Sequence, residues 1–253
     1  MSKTLKIRDI IIGEGIPKIC TSLVDSTIDD LIEESYNLKK YDLDLVEWRA
    51  DFYEDIYEIE KVEKALISIR KIIYDKPLIF TFRSGKEGGA KNIDESYYFE
   101  LIDLILKTKL ADIVDIELLR CEEKVKDTID KACKNGIAVI LSYHNIYNTP
   151  SRDEILNYIN KADNLGADII KVSVMAKSTK DVITLLESAC AAKENIQKPF
   201  IAISMGKKGI ISRISGEIFG SCITFGSVKN KSALGQIHVE DLKAIISIIH
   251  KNL

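Results

Sequence analysis

AVILSYHNIYNTPSRDEILNYINKADNLGADIIKVSVM, residues 138–175, holds one complete structural unit of the chain. Ala138–His144 is a short run of mainly aliphatic residues, apolar almost throughout, as a strand covered on both faces requires. Pro150 follows, and then Ser151-Arg152-Asp153-Glu154, a capping box in which serine and glutamate satisfy free amides at a helix start. An amphipathic segment leads to a second run, Ile169–Met175. Strand, helix and strand in that order predict a parallel pair joined by a crossover helix.

The same alternation extends over the rest of the chain. Strand-like runs occur at Ile19–Val24, Leu43–Arg49, Leu78–Arg83, Ile113–Leu118, Ala138–His144, Ile169–Met175, Phe200–Met205 and Ile223–Gly226. Ser178 to Asp181 offers a second helix cap, and Pro17, Pro77 and Pro199 stand just ahead of runs, where a missing amide donor costs little. Eight such units in 253 residues predict an α/β fold of the (β/α)8 TIM-barrel type, one domain over residues 1–253. An open six-stranded sheet with added elements is the alternative, and it fits eight runs less well. Leu5–Ile7 and Ile10–Ile12, ahead of Gly13 and Gly15, predict an N-terminal β-hairpin capping one end of the barrel.

Hydrophobic residues at 46% and charged residues at 30% are an ordinary globular balance, enough for a large core. A net charge of -3 gives no electrostatic ground for nucleic acid or an anionic membrane as partner. Lys6, Arg8 and Asp9 interrupt any apolar run of signal-peptide type, and no stretch has the length of a membrane span. The five cysteines, Cys20, Cys121, Cys133, Cys190 and Cys222, are an odd set without Cys-x-x-Cys spacing. They predict neither a disulfide framework nor a zinc site, and a reducing cytoplasm suits them.

Barrel chemistry sits at the carboxyl ends of strands. Those ends carry Glu47-Trp48-Arg49, Arg83 with the loop Ser84 to Gly89, Asp115 with Glu117, His144, Lys171, and Ser204-Met205. Lys171 lies in an apolar strand, where an unpartnered charge is costly and the amine tends to lose its proton. A neutral amine attacks ketones and aldehydes, the basis of Schiff-base catalysis. The bland reading, a snorkelling lysine or one leg of a buried ion pair with Glu117, weighs equally on this residue alone. His144 at a strand end suits general acid/base work, whereas His238 and His250 belong to the last helix region. No zinc-ligand spacing is present, so no metal is expected; Asp115 with Glu117 is the one arrangement that would suit magnesium. Arg49, Arg83 and Arg213 point to an anionic substrate, with ion pairing to Glu47, Glu87 and Glu117 as the competing use. Gly85, Gly88 and Gly89 suggest a mobile loop, and Gly206 to Gly209 a weak phosphate-binding turn.

Taken together these residues resemble the type I 3-dehydroquinate dehydratases. The matching segments are Ile11-Ile12-Gly13-Glu14-Gly15, Pro17-Lys18-Ile19, Glu47-Trp48-Arg49, Phe80-Thr81-Phe82-Arg83, Lys86-Glu87-Gly88-Gly89, Asp115-Ile116-Glu117-Leu118, Ser142 with His144, and Gly166-Ala167-Asp168 leading to Lys171. Ile211-Ser212-Arg213, Gly216 to Ser221, Thr224-Phe225-Gly226 and Ser232 to Gln236 complete the set. The resemblance implies a cofactor-free barrel, a homodimer, acting on 3-dehydroquinate in the shikimate route. Lys171 would form an imine with the C3 ketone. His144 would take the C2 proton and return it to the leaving C1 hydroxyl, and Glu87 would hold His144. Ser22, Glu47, Trp48, Arg49, Arg83, Arg213, Ser232 and Gln236 would bind substrate, and 227–237 would form a lid. Asn145-Ile146-Tyr147 and Leu234 depart from the family pattern without removing any of these groups. The chain ends at Leu253, so no fused dehydrogenase module is expected. A class I aldolase is the alternative within barrel enzymes, and a barrel that only binds small anions is the non-enzymatic one.

Overall fold

The computed structural model describes residues 4–229 and 232–253; positions 230 and 231 of the expected lid lie outside them. The chain opens with β1 (Leu5–Ile7) and β2 (Ile10–Ile12), an antiparallel pair. Then follow β3 (Lys18–Leu23), α1 (Ile28–Leu38), β4 (Leu45–Arg49), α2 (Ile59–Ile72), β5 (Leu78–Thr81), α3 (Glu95–Thr108), β6 (Ile113–Glu117) and α4 (Glu122–Asn135). The second half runs β7 (Ala138–Asn145), α5 (Arg152–Leu165), β8 (Ile169–Met175), α6 (Thr179–Asn195), β9 (Phe200–Met205), α7 (Ile210–Ile214), α8 (Gly216–Phe219), β10 (Ile223–Gly226) and α9 (Val239–His250).

The main sheet has the order β10-β3-β4-β5-β6-β7-β8-β9, all neighbours parallel. Its edges meet where Phe200 bridges Ser221 and the Cys222 amide donates to the Phe200 carbonyl at 2.8 Å. The architecture is therefore a (β/α)8 barrel and not an open sheet. Both expected capping boxes form, Ser151 with Glu154 and Ser178 with Asp181. Three strands are shorter than their apolar runs: β4 begins two residues late at Leu45, β6 ends one short at Glu117, and β5 ends two short. β5 stops at Thr81 because the next amides leave the sheet: that of Arg83 donates to Asp51 at 3.2 Å and that of Ser84 to Glu117 at 2.7 Å.

Alternation along each strand sends one set of side chains into the barrel and the other towards the helices. Outward residues such as Val46, Trp48, Phe80, Phe82, Ile116, Leu141 and Val172 pack into the large helix-facing core. Inward, Cys20, Leu45, Ile79, Ile113, Ile140, Ile169, Ile201 and Ile223 form an apolar floor. Leu5, Ile7, Ile10 and Ile12 pack on that same cluster. Arg8, at the hairpin turn, reaches Asp112 at 2.7 Å and the Tyr74 carbonyl, groups that lie just ahead of strand starts. The hairpin thus plugs the amino-terminal end and leaves the opposite mouth for chemistry. No helix among the described residues is long and apolar enough to cross a membrane.

Candidate active site

Above the apolar floor the inward positions turn polar, and their side chains bond to one another. The hydroxyls of Ser22 and Thr81 donate to the Glu47 carboxylate at 2.5 and 2.9 Å. Asp115 accepts from Arg83 at 2.6 Å, from Ser142 at 2.6 Å and from Lys171 Nζ at 3.0 Å. Glu47 Oε1 lies 3.6 Å from the same nitrogen, and the Phe225 ring centre 4.7 Å from it. Lys171 is buried, but it is not isolated in apolar surroundings as its sequence context suggested. Two carboxylates compensate it, and its ion-pair partner is Asp115 instead of Glu117. Nor is Asp115 half of a magnesium site, because three donors already occupy its oxygens. Among the described residues no group of three or more His, Cys, Asp or Glu is placed to hold a metal. Burial by itself would raise the Asp115 carboxyl, but Arg83, Lys171, His144 and Ser142 hold it well below the usual carboxylate range.

Ser142 pairs in register with Lys171, so His144, two residues on, projects from the same face nearer the mouth. Its Nδ1 lies 2.9 Å from Glu87 Oε2. Burial, then the cations Arg83 and Lys171, push the imidazole well below its ordinary value, which leaves it neutral at pH 7. Burial pushes the Glu87 carboxyl up to about 8; Arg83 at 3.3 Å opposes this, while Glu117 and Asp115 add to it. A neutral base held by a carboxyl of raised affinity shares its proton with that carboxyl, so titration belongs to the pair.

The three arginines differ in what they touch. Arg49 is paired with Asp51 at 2.8 and 2.9 Å, and Arg83 with Asp115, Glu87 and Glu117. Among the described residues Arg213 meets no carboxylate: it donates to the carbonyls of Phe225 and Leu234, each at 3.2 Å, and its Nε has no partner there. Burial lowers its pKa to about 10. An ion held in the wall of a cavity without its counter-ion marks where an anionic ligand belongs.

That cavity has a volume of about 320 Å³ and is lined by Lys171, His144, Glu87, Glu47, Arg49, Arg83, Arg213, Ser232 and Gln236. Ile146, Met175, Ile203, Met205, Phe225 and Leu234 add an apolar side. Two expected binding residues do not line it. Ser22 sits beneath, joining Glu47 to Ser232 Oγ at 3.1 Å. Trp48 faces the helix layer with no exposed surface, edge-on to Tyr53 and Phe80, because it alternates with Glu47 and Arg49. Its assignment to substrate binding is corrected accordingly.

Ser227 bridges His238, and Ser232, Ala233, Leu234 and Gln236 line the cavity from that side. Gln236 bonds both the amide and the hydroxyl of Ser232, while the Leu234 carbonyl accepts from Gly206 and Arg213. The glycines after Arg83 serve close packing, not looseness. A Cβ on Gly89 would stand 1.8 Å from the Arg83 carbonyl oxygen, and Gly88 has φ 90°. Gly209 is required in the same way, 1.9 Å from the Ser204 carbonyl. Thr81, Ser142 and Phe225 stand in the segments that carry the resemblance but were given no role in the site. Strand parity was the available signal, since all three share the inward face.

The type I 3-dehydroquinase family model matches residues 19–253. A 3-dehydroquinate dehydratase of Alkaliphilus oremlandii is 48% identical over 253 residues, covering 100% of this chain and 99% of its own. One from Bacillus licheniformis is 47% identical over 254 residues and covers 100% of both. The crystal structure of the type I 3-dehydroquinate dehydratase from Clostridium difficile, described with covalent modified comenic acid, superposes with a TM-score of 0.97. It is 40% identical and covers 100% of each chain.

Proposed function

The chain belongs to the type I 3-dehydroquinase family, a hydro-lyase family acting on 3-dehydroquinate, and we propose that it eliminates water from that substrate through an imine on Lys171. The observation that carries this reading is Lys171 Nζ, buried in the wall of a cavity that it shares with a neutral imidazole and an arginine without a counter-ion among the described residues. Nζ attacks the C3 ketone and the resulting carbinolamine loses water. The amine gives up a proton before attack to His144, the neutral base facing the same space, and the imidazolium returns it to the carbinolamine hydroxyl that leaves as water, so the imidazole is neutral again. The protonated imine carries a positive charge beside Asp115 and Glu47, at the distances already given, which stabilises it without a metal.

Removing a proton from C2 places negative charge on carbon, and the imine accepts that charge better than a ketone does. His144 takes the C2 proton and returns it to the C1 hydroxyl, which leaves as water. Hydrolysis of the imine then releases 3-dehydroshikimate and restores the amine, so the net loss is one water. Glu87 orients the imidazole through Nδ1 and stabilises its charged form. Arg213 receives the substrate carboxylate. Glu47, Arg49 and Arg83 address the ring hydroxyls from the barrel wall, and Ser232 and Gln236 cover them from above. The covalent ligand of the Clostridium difficile relative supports a site that bonds to what it binds. We further assign the whole chain to one barrel domain, acting as a homodimer in the cytoplasm in the route to aromatic compounds. The free cysteines are in keeping with a reducing compartment.

Borohydride added with 3-dehydroquinate is expected to fix one substrate-derived mass on the intact chain, mapped to Lys171. Attachment at any other residue refutes the assignment. Formation of an enone absorbing in the ultraviolet separates dehydration from the carbon-carbon cleavage of an aldolase. Arg213→Lys keeps the charge but not the planar fork. It is expected to raise KM about 10- to 100-fold with a smaller change in kcat, the pattern of lost uniform binding. An unchanged KM in steady-state assays removes Arg213 from carboxylate recognition.

A further inference from the structure

We propose that Arg120, which does not line the substrate cavity, is a positioning residue that sets the pH at which the His144–Glu87 pair becomes a competent base. This rests on the assignment of that pair to proton transfer. Glu87 and His144 form a wall between two cavities. The second, of about 770 Å³, opens on their far side and is lined by Glu117, Arg120, Tyr143 and Lys86 among others. Arg120 therefore reaches the pair from a side that the substrate does not occupy.

Its placement is rigid. Arg120 lies just past the end of β6, with Nε and Nη2 both on Glu117 Oε2, at 2.8 and 2.6 Å. Its guanidinium stands over the Tyr98 ring at 4.1 Å, and the Tyr98 hydroxyl accepts from the Glu117 amide at 3.2 Å. The other carboxylate oxygen of Glu117 accepts from the Ser84 amide at 2.7 Å and lies 3.7 Å from Arg83. Glu117 thus divides its charge between an outer arginine and the inner one, and neither oxygen turns towards Glu87 for a bond.

Charged and titratable groups face Glu87 from three elements, and β7 brings the Tyr143 hydroxyl as well as the imidazole. Its own turn supplies Arg83, bonded at 3.3 Å, and the neighbouring Lys86. β6 and the turn after it supply Asp115, Glu117 and Arg120, and β7 supplies His144. Glu117 and Asp115 raise the Glu87 carboxyl, whereas Arg83 and Arg120 lower it, all against the larger effect of burial. Without Arg120 the Glu117 charge is less compensated and one lowering influence is gone. Glu87 then holds its proton to higher pH. Because Nδ1 of His144 needs the carboxylate, the acid limb of activity moves up with it.

The test compares Arg120→Met, Arg120→Lys and Glu117→Gln by kcat and kcat/KM against pH, with borohydride trapping on every protein. Arg120→Met is expected to move the acid limb up by about one pH unit, with KM on the plateau nearly unchanged. Arg120→Lys retains the charge and is expected to restore most of the shift. Glu117→Gln removes the opposing charge and is expected to move the limb down. An unmoved limb in Arg120→Met, or equal limbs in the Met and Lys variants, overturns the proposal. That comparison stands even where Glu117→Gln does not fold, because it needs only the arginine variants. Trapping at Lys171 alongside an unmoved limb refutes the role of Arg120 alone, whereas absence of trapping in the unaltered protein refutes the imine reading on which it rests.

Discussion

Lys171→Ala is expected to lower kcat by roughly 10⁵-fold and to remove the borohydride adduct altogether. The size follows from what the amine supplies. Without it the C2 proton must be lost next to a ketone, and no group in the cavity replaces the iminium as an electron sink. Arg213, Arg83 and the ordering of the substrate remain, so some residual acceleration persists. The substitution also leaves Asp115 with Arg83 and Ser142 as partners and Glu47 with Ser22 and Thr81. Folding is therefore expected to survive, and substrate binding by calorimetry to remain measurable. A variant that retains turnover within about 100-fold of the original would place the chemistry elsewhere.

His144→Ala is expected to reduce kcat by about 10²- to 10⁴-fold, the usual worth of a positioned general acid/base. Its signature differs from that of the lysine variant. The imine still forms, slowly, and borohydride still captures substrate on Lys171, so loss of turnover and retention of trapping separate the two roles. The unaltered protein should show kcat/KM falling as pH falls. The base form of the pair has a neutral imidazole and an ionised Glu87, whose carboxyl is pushed up to about 8. Protonation of the pair at lower pH removes the carboxylate that receives Nδ1–H, so activity is present above the ionisation and lost below it. In His144→Ala that limb should vanish from the residual rate. A limb of unchanged midpoint in the variant would assign the ionisation to another group.

Which residues face the cavity was largely legible beforehand, and strand alternation explains why. Glu47 and Arg49 share a face, and the same rule already turned Trp48 away from it. The family resemblance carried by Glu47-Trp48-Arg49 placed Trp48 in the site against that rule, and the indole lies buried between Tyr53 and Phe80 instead. The glycines near residue 88 were misread for a related reason. A glycine signals either freedom or close approach, and only the Arg83 carbonyl beside Gly89 decides between them.

The chain's own order of residues determined the barrel, because apolar runs, caps and alternation are local properties that each segment carries wherever it sits. It determined as well that a lysine, a histidine and several arginines crowd the carboxyl ends of strands. Only the tertiary structure decided their pairings. Lys171 meets Asp115 across 56 positions of chain and His144 meets Glu87 across 57, at contacts set by strand register and the closure of the sheet. The fold also brings Asp115 and Glu117 to Arg83 and, among the described residues, no carboxylate to Arg213, whereas Arg49 takes its partner locally from Asp51, two residues on. Charge compensation in a buried site depends on which groups come within a few ångströms of each other, and that distance is a property of the folded barrel alone.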